Sequence, residues 1–256
     1  VPSRDPYDVI AQHNLALFHT TYVNTDDLGP ETLIPISAHG GTARVFDYQR
    51  RAYDETLAIN GSPGKSMVTW MQPGLAWDCG ACFSDYARTS VMGYFFDSSL
   101  WIGMTDDEAY WSDAVNAHEL GHWAMASYGT SPYEGGTHYL AVPTLPGQAW
   151  SEGWATLFSS LVRGDELYFD SQDGSFFWFD LRELSYFVFD LTIPMTLPTA
   201  DARGYPDEDD PLLQLMDENY VAAVGLSIAS RDWEVEAPRL PNEGAFLFST
   251  LSSERM

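Results

Sequence analysis

The segment Asn116–Trp123 contains two histidines and a glutamate at a spacing that suits metal chemistry. It reads NAHELGHW, so His118 and His122 are four positions apart and Glu119 lies between them. On an α-helix with 3.6 residues per turn, the two imidazoles lie about 40° apart on one face, one turn apart along the axis. Glu119 is then about 100° round from His118, close enough to reach a water molecule at a metal ion without being a ligand. This HExxH pattern is typical of zinc sites in which the glutamate is the general base.

A catalytic zinc site needs a third protein ligand and one open coordination position. The extended pattern HExxHxxGxxH does not supply that ligand here. Met125 stands where the pattern requires glycine, and Tyr128 stands where it requires histidine. The remaining downstream candidates are Glu134, His138 and Glu152.

Glu152 is the candidate that a regular element would hold most firmly. It lies in AWSEGWA at the start of a predicted helix, whereas Glu134 and His138 lie in an irregular segment rich in Gly, Pro and Thr. We therefore predict that His118, His122 and Glu152 are metal ligands and that the metal is zinc. The alternative is that the histidines are hydrogen-bonded core residues and that Glu152 is a carboxylate favoured by the helix dipole.

Two predicted helices must position these residues, one over about 108–127 and one over about 150–162. Thr105–Glu108 resembles a capping box before the first helix. A glycine inside a helix destabilises the helix by about 1 kcal/mol relative to alanine. The presence of Gly121 therefore indicates that a side chain beside the second histidine would clash with a neighbour. Small residues next to Glu152 keep the second helix slim, so the two helices can pack closely.

The rest of the chain predicts an α+β protein. Further helices are predicted at 7–22, 43–58 and 211–230, strands at 66–71, 91–96 and 100–104, mixed signals at 167–189, and irregular segments at 129–147 and 200–211. We divide the chain into an N-terminal mixed α/β subdomain at 1–127, which carries the zinc-binding helix, and a mainly helical C-terminal subdomain at 128–256, which carries the glutamate helix. The two would form one catalytic domain.

The HELGH motif followed by the Glu152-Gly153-Trp154-Ala155 helix resembles the gluzincin branch of zinc metallopeptidases, the clan that contains thermolysin. The strands at 91–96 and 100–104 look like the edge strand and following strand that precede the zinc helix in such enzymes. The similarity covers about residues 91–162. The glutamate helix of thermolysin reads NExxSD, whereas Ser151 precedes the glutamate here, so the resemblance identifies the clan and not a family within it.

The resemblance implies a zincin fold with a cleft between an edge strand at 91–96 and the zinc helix. It implies one catalytic Zn²⁺, with Glu119 accepting a proton from water and passing it to the leaving amine. It also implies a tyrosine or histidine that donates a hydrogen bond to the developing oxyanion. The candidates for that donor are His138, Tyr133, Tyr139, Tyr186 and Tyr220.

The predicted function is therefore hydrolysis of peptide bonds in a peptide or protein substrate by a secreted zinc metallopeptidase. Endopeptidase action is favoured because no motif for capturing a substrate terminus is visible. The alternatives are an aminopeptidase or a narrowly specific processing protease of the same clan, a latent enzyme that awaits removal of a segment, and a non-catalytic, zinc-stabilised binding or adhesion domain. An intact Glu119 argues against the last, because a structural site has no use for a base.

The charge of the chain argues against two classes of partner. The chain has 37 Asp plus Glu against 12 Lys plus Arg, a formal net charge of −25. Such a chain repels the phosphates of nucleic acids and anionic membranes, and no basic cluster offsets the repulsion. The longest nearly apolar run, Tyr220–Ala229, is too short to span a bilayer. Because the chain opens on Val1, we expect that a signal or pro-segment has been removed.

Two further motifs leave their interpretation open. Cys79 and Cys82 form a lone CxxC, which is consistent with half of a zinc site, a redox pair or a short-loop disulfide. Calcium is a possible second ion at the acidic turns Asp170–Gly174 and Asp207–Asp210. Neither turn matches a calcium-binding loop motif.

Overall fold

The helix that carries HELGH begins at Asp113, because Ser112 caps it. The Ser112 hydroxyl accepts a hydrogen bond from the backbone N–H of Val115, which satisfies one of the free donors at the helix start. The predicted start near residue 108 is therefore wrong by about one turn. The predicted capping box at Thr105–Glu108 lies outside the described residues.

The computed structural model describes residues 7–13, 16–19, 40–65, 67–71, 81–85, 89–91, 94–96, 99–102, 112–132, 134–136, 138, 143–172, 175–182, 185–190, 194–197 and 216–230. The helices in these ranges are α1 (Gly40–Asn60), α2 (Asp113–Tyr128), α3 (Pro146–Arg163) and α4 (Glu218–Ala229). The strands are β1 (Tyr7–His13), β2 (Ala16–His19), β3 (Met67–Met71), β4 (Ala81–Ser84), β5 (Thr89–Val91), β6 (Tyr94–Phe96), β7 (Ser99–Ile102), β8 (Leu167–Gln172), β9 (Ser175–Asp180), β10 (Ser185–Asp190) and β11 (Pro194–Leu197).

The strands form three sheets. One has the order β2-β1-β3-β7-β4, in which β1, β3 and β7 are parallel and the two outer strands are antiparallel to their neighbours. The second is antiparallel, with the order β11-β10-β9-β8, and the third is the pair β5-β6. This mixture of helices and sheets is compatible with the predicted α+β class. The division at residues 127 and 128 stays a prediction.

One edge of the five-stranded sheet is β4, and the segment at 91–96 is not a strand of that sheet in the described residues. Within the described residues, 91–96 is divided between β5 and β6, which pair only with each other. β4 pairs antiparallel with β7, with Cys82 opposite Trp101, and it contacts α2. Cys82 is disulfide-bonded, and the sequence holds one other cysteine, Cys79. The short-loop disulfide is thus the interpretation of the CxxC that agrees with the structure.

The predicted helix at 7–22 is also wrong, because the structure has β1 and β2 there. β1 pairs in parallel with β3 from Tyr7 opposite Met67 to Ala11 opposite Met71. Pairing with a distant strand overrides the local spacing of apolar residues, which is a common reason for such errors. The mixed signals at 167–189 correspond to β8, β9 and β10. The helices predicted at 43–58 and 150–162 are confirmed as α1 and α3.

The core lies between the helices and both larger sheets. Its largest fully buried side chains are Trp123, Phe158, Phe179, Leu120, Met125 and Leu161. α2 and α3 pack closely because Gly121 has no side chain. A Cβ atom at Gly121 would lie 2.6 Å from the Cα atom of Ala155. The sequence-based inference of a steric constraint at Gly121 is confirmed, and the constraint is this contact between helices.

Helix α4 is anchored at its first turn. Asp217 is its N-cap, and one carboxylate oxygen accepts hydrogen bonds from the backbone N–H groups of Asn219 and Tyr220. Helix α3 meets this turn through Gly153, where a Cβ atom would lie 2.6 Å from the carbonyl oxygen of Glu218.

Replacement of the N-cap Asp217 by alanine is expected to lower the free energy of unfolding by about 1 kcal/mol, within a range of roughly 0.5–2 kcal/mol. The change leaves two N–H groups of α4 without their capping acceptor. Urea unfolding followed by circular dichroism measures the loss. Asp217→Asn, which retains a capping oxygen, is the matched control and should recover most of it. Equal losses in both variants would contradict the capping role.

Candidate metal centre

Helix α2 brings His118, Glu119 and His122 into the interior. The Arg44 guanidinium on α1 forms two hydrogen bonds of 2.5 Å with the Asp113 carboxylate, which joins α1 to the start of α2. His118 is 8% exposed and Glu119 is 5% exposed. The predicted helical spacing thus places all three side chains where bulk water is largely excluded.

Helix α3 brings Glu152 to the two histidines. One carboxylate oxygen, Glu152 Oε2, lies 3.1 Å from Nε2 of His118 and 3.1 Å from Nε2 of His122. The ligand atoms of these three residues all lie within 4.8 Å of one another, so the group can hold a metal ion. Two imidazole nitrogens and one carboxylate oxygen form a donor set typical of catalytic zinc sites. The residues present therefore fit zinc, although the donor set alone does not identify the metal.

The second nitrogen of each imidazole faces a hydroxyl group on α3. Nδ1 of His118 lies 3.1 Å from Oγ1 of Thr156, and Nδ1 of His122 lies 3.3 Å from Oγ of Ser151. If Nδ1–H donates to the hydroxyl oxygen, the lone pair on Nε2 is free for a metal. Such partners fix the ring orientation and tautomer of metal-binding histidines.

The two histidines also contact aromatic rings from the two larger sheets. The ring of Phe83 on β4 is stacked against His122, with centroids 6.0 Å apart and planes 20° apart. The ring of Tyr168 on β8 meets His118 edge-on, with centroids 5.7 Å apart. The metal group therefore lies beside the strand at the end of each sheet, β4 on the His122 side and β8 on the His118 side.

Glu119 is a buried carboxylate of the site with one oxygen atom that no described neighbour satisfies. Its Oε2 atom has no hydrogen-bond partner among the described residues. Burial raises the pKa of the Glu119 carboxyl to about 7. The group can therefore both accept and release a proton near neutral pH, as general acid–base catalysis requires.

A second pair, His138 and Glu218, completes the surroundings of Glu152. His138 Nδ1–H donates to Glu218 Oε2 at 2.7 Å, while His138 Nε2 lies 3.7 Å from Glu152 Oε2, beyond hydrogen-bond distance. Burial alone would lower the pKa of His138, but the hydrogen bond and charge of Glu218 outweigh it and raise the pKa to about 9. Glu218 thus favours the protonated form of His138, in which Nε2–H can donate to another acceptor.

The other candidates from the sequence lie elsewhere. Glu134 Oε2 accepts a hydrogen bond of 2.6 Å from the backbone N–H of Gly147, so this carboxylate lies at the start of α3 and outside the metal group. Tyr220 lies in the first turn of α4. Tyr133, Tyr139, the side chain of Tyr186 and the acidic run Asp207–Asp210 lie outside the described residues. Calcium binding stays untested.

Sequence reasoning missed Glu218, Tyr168 and Phe83. Glu218 follows the N-cap of α4, and the doublet Asp217-Glu218 is a recognisable helix start. The helix was predicted from residue 211, which hid that start. Phe83 lies on β4, which pairs with the later strand β7, and Tyr168 lies on β8, which pairs with the next strand β9. The contacts of these two rings with the histidines join separate parts of the chain, and no local pattern predicts them.

Part of the chain is similar to a known family. Residues 64–188 match the model of the Mycolysin C-terminal domain, a domain of mycolysin-type, thermolysin-like metallopeptidases. The match covers just under half of the chain. It includes α2 and α3 and ends before α4, and it supports the thermolysin-like clan at a coarse level. No curated protein and no solved structure matches the chain. In the described residues, no helix is long and apolar enough to cross a membrane.

Proposed function

We propose that this protein is a secreted zinc metallopeptidase that hydrolyses internal peptide bonds. The observation that carries the proposal is the convergence of His118, His122 and Glu152 beside Glu119, whose buried Oε2 atom has no partner in the described part of the chain. In a structural zinc site, protein ligands occupy every coordination position. Such a site has no use for a buried carboxylate with an unpartnered oxygen atom next to the metal.

Two further observations support the proposal. The match of residues 64–188 to the Mycolysin C-terminal domain points to the same kind of enzyme, and mycolysin-type proteins are generally extracellular. The disulfide at Cys82 suits an oxidising compartment, where disulfides persist.

His118, His122 and Glu152 would hold the zinc ion. When bound, zinc supplies Lewis acidity, which polarises a carbonyl oxygen and makes water a better nucleophile at neutral pH. Glu119 accepts the proton of the attacking water and passes it to the nitrogen of the leaving amine. Its pKa of about 7 suits both transfers. Thr156 and Ser151 hold the two imidazoles in the orientation that directs Nε2 to the metal.

His138 donates the hydrogen bond that the reacting carbonyl oxygen needs as negative charge develops on it. Glu218 accepts a hydrogen bond from Nδ1–H of His138. This contact orients the ring so that Nε2–H faces the metal group. The peptide substrate lies along β4, since an extended chain can pair with the edge of a sheet. Phe83 on that strand contacts His122, so a peptide bound at β4 passes next to the metal group.

Zinc content of the wild type and of Glu152→Ala tests the proposed site. We expect about one zinc per chain in the wild type and a sharp reduction in the variant, because the carboxylate joins the two histidines from a second helix. Elemental analysis of purified protein after dialysis measures the content. Glu134→Ala is the matched control, since it removes another candidate carboxylate that lies outside the metal group, and it should keep its zinc.

Three outcomes would contradict the proposal. Zinc retained in Glu152→Ala would exclude Glu152 as the third ligand. If a folded wild type bound no zinc even after zinc was supplied, the result would support the alternative that the histidines are hydrogen-bonded core residues. Wild type with zinc but without activity on a broad set of peptides would favour the zinc-stabilised binding domain.

A further inference from the structure

Three alternate residues of the segment between α2 and α3 form hydrogen bonds with helix α3 or helix α4. Glu134 accepts from the backbone N–H of Gly147 at 2.6 Å. The carbonyl oxygen of Gly136 accepts from Nε2 of Gln148 at 2.8 Å. Two residues further on, His138 donates to Glu218. Helix α3 thus holds the segment just ahead of His138, and α4 holds His138 itself.

Gln148 connects the outgoing and returning parts of this segment. Its side chain is buried, at 3% exposure. Its Nε2 donates to Gly136, and its Oε1 accepts from the Thr144 hydroxyl. The backbone N–H of Thr144 donates to the carbonyl oxygen of Met216 at 2.9 Å, just before α4. The buried amide of Gln148 therefore contacts one residue before His138, Gly136, and one residue after it, Thr144.

Glu134 supplies a cap that the sequence of α3 lacks. Leu145 is the N-cap residue and makes no side-chain capping hydrogen bond. Glu134 takes that role from outside the helix, and Gly147 leaves room for its carboxylate, which a Cβ atom there would contact. A carboxylate at this end of a helix is also favoured by the helix dipole.

We propose that Gln148, assisted by Glu134, positions His138 for the reaction. The inference rests on the proposed function, because it concerns the residue that donates a hydrogen bond to the reacting carbonyl oxygen at that site. Gln148 lies in the first turn of α3 and Glu152 lies one turn further on, so one rigid helix sets the place of His138 relative to the ligand carboxylate. Gln148 is a positioning residue, since it acts through His138 and does not touch the reacting atoms.

Gln148→Glu is the variant that removes the donor for Gly136 with the smallest change of shape. Glutamate keeps an acceptor for Thr144, loses the donor for Gly136, and is well tolerated at the third position of a helix. We expect zinc content to stay at that of the wild type. We expect kcat on a quenched fluorescent peptide to fall about 10-fold, the lower end for residues that orient catalytic groups, with little change in KM.

A comparison in the absence of His138 separates positioning from general stability. In His138→Asn, the further change Gln148→Glu should alter kcat less than about 2-fold, because the group it positions is gone. Glu134→Ala should lower kcat by a smaller factor than Gln148→Glu. Glu134→Gln, which keeps an acceptor for Gly147, should recover the activity. An equal loss of kcat with and without His138 would overturn the proposal.

Nuclear magnetic resonance of protein with ¹⁵N-labelled histidine gives a readout that needs no activity. The hydrogen-bonded Nδ1–H of His138 should give a downfield proton resonance, identified by its loss in His138→Asn. In Gln148→Glu this resonance should disappear or broaden. Its persistence unchanged would also overturn the proposal. If the wild type itself shows no peptidase activity, the proposed function fails, and the resonance still decides whether Gln148 positions His138.

Ser159→Ala is the control for an unspecific loss of stability. Its hydroxyl donates to the carbonyl oxygen of Ala114 at 2.8 Å, so the variant loses a contact between α2 and α3 far from the segment that carries His138. We expect a stability loss of about 1 kcal/mol without change of the His138 resonance or of kcat.

Discussion

Glu119→Gln is expected to lower kcat for peptide hydrolysis by about 10²–10⁴-fold, the usual contribution of a general base, while the zinc content stays unchanged. Glutamine has nearly the same shape as glutamate but cannot accept the proton of the attacking water. The carboxylate is not a member of the metal group, so the metal should not depend on it. Steady-state kinetics on a quenched fluorescent peptide, with elemental analysis of the same sample, measures both quantities.

Asp47→Asn is the control for this variant, because it makes the same change of charge on the exposed face of α1. The Asp47 side chain is 59% exposed, and the variant should keep the wild-type kcat. Full activity in zinc-loaded Glu119→Gln would exclude Glu119 as the base and remove the main argument for catalysis. Loss of zinc together with activity would show that the carboxylate supports the metal, contrary to the role proposed for it.

Gly121→Ala is expected to destabilise the protein by about 1–3 kcal/mol, the usual cost of overpacking, although alanine favours a helix by about 1 kcal/mol. The added methyl group would lie 2.6 Å from the Cα atom and 3.0 Å from the carbonyl oxygen of Ala155. Backbone atoms cannot move aside as a flexible side chain can, so α2 and α3 must separate. Because the ligands lie on both helices, zinc affinity should also fall. Urea unfolding and competition with a chromophoric chelator measure the two effects.

Gly135→Ala is the matched control for an added methyl group. A Cβ atom at Gly135 would have nothing within 4 Å, so neither stability nor zinc affinity should change appreciably. If Gly121→Ala proved as stable as the wild type and bound zinc equally well, the close contact of α2 and α3 would not be what holds the ligands together.

The three members of the metal group could be predicted because each depends on a local pattern. His118 and His122 share a helix face through their spacing alone, and Glu152 was favoured because a helix would hold it. Gly121 in a helix interior was a local anomaly, and its cause was correctly expected to be steric. These inferences needed the geometry of single helices and not the arrangement of the whole chain.

The features that were missed depend on contacts between distant parts of the chain. The edge strand was assigned to 91–96 from the resemblance to gluzincins, but strand order within a sheet is set by pairing, and β4 lies at the edge beside β7. The segment at 7–22 became β1 and β2 for the same reason. Glu218 joins His138 across 80 positions, and no local pattern relates the two. The start of α2 was misplaced because Thr105 and Ser112 are both residue types that cap helices, and the sequence pattern favoured Thr105, whereas Ser112 is the N-cap.

Nine consecutive positions of helix α3 must keep a constant number of residues, because side chains along them contact one site. Between Gln148 and Thr156 the helix contacts the segment that carries His138, provides the carboxylate of the metal group and places a hydroxyl beside each imidazole. An insertion or deletion of one residue inside this interval would turn everything beyond it by about 100° and separate functions that must act at one place. Changes in chain length are compatible with the site only outside the interval. We therefore expect related sequences to differ in length between α2 and α3, but to have no insertions or deletions in this part of α3.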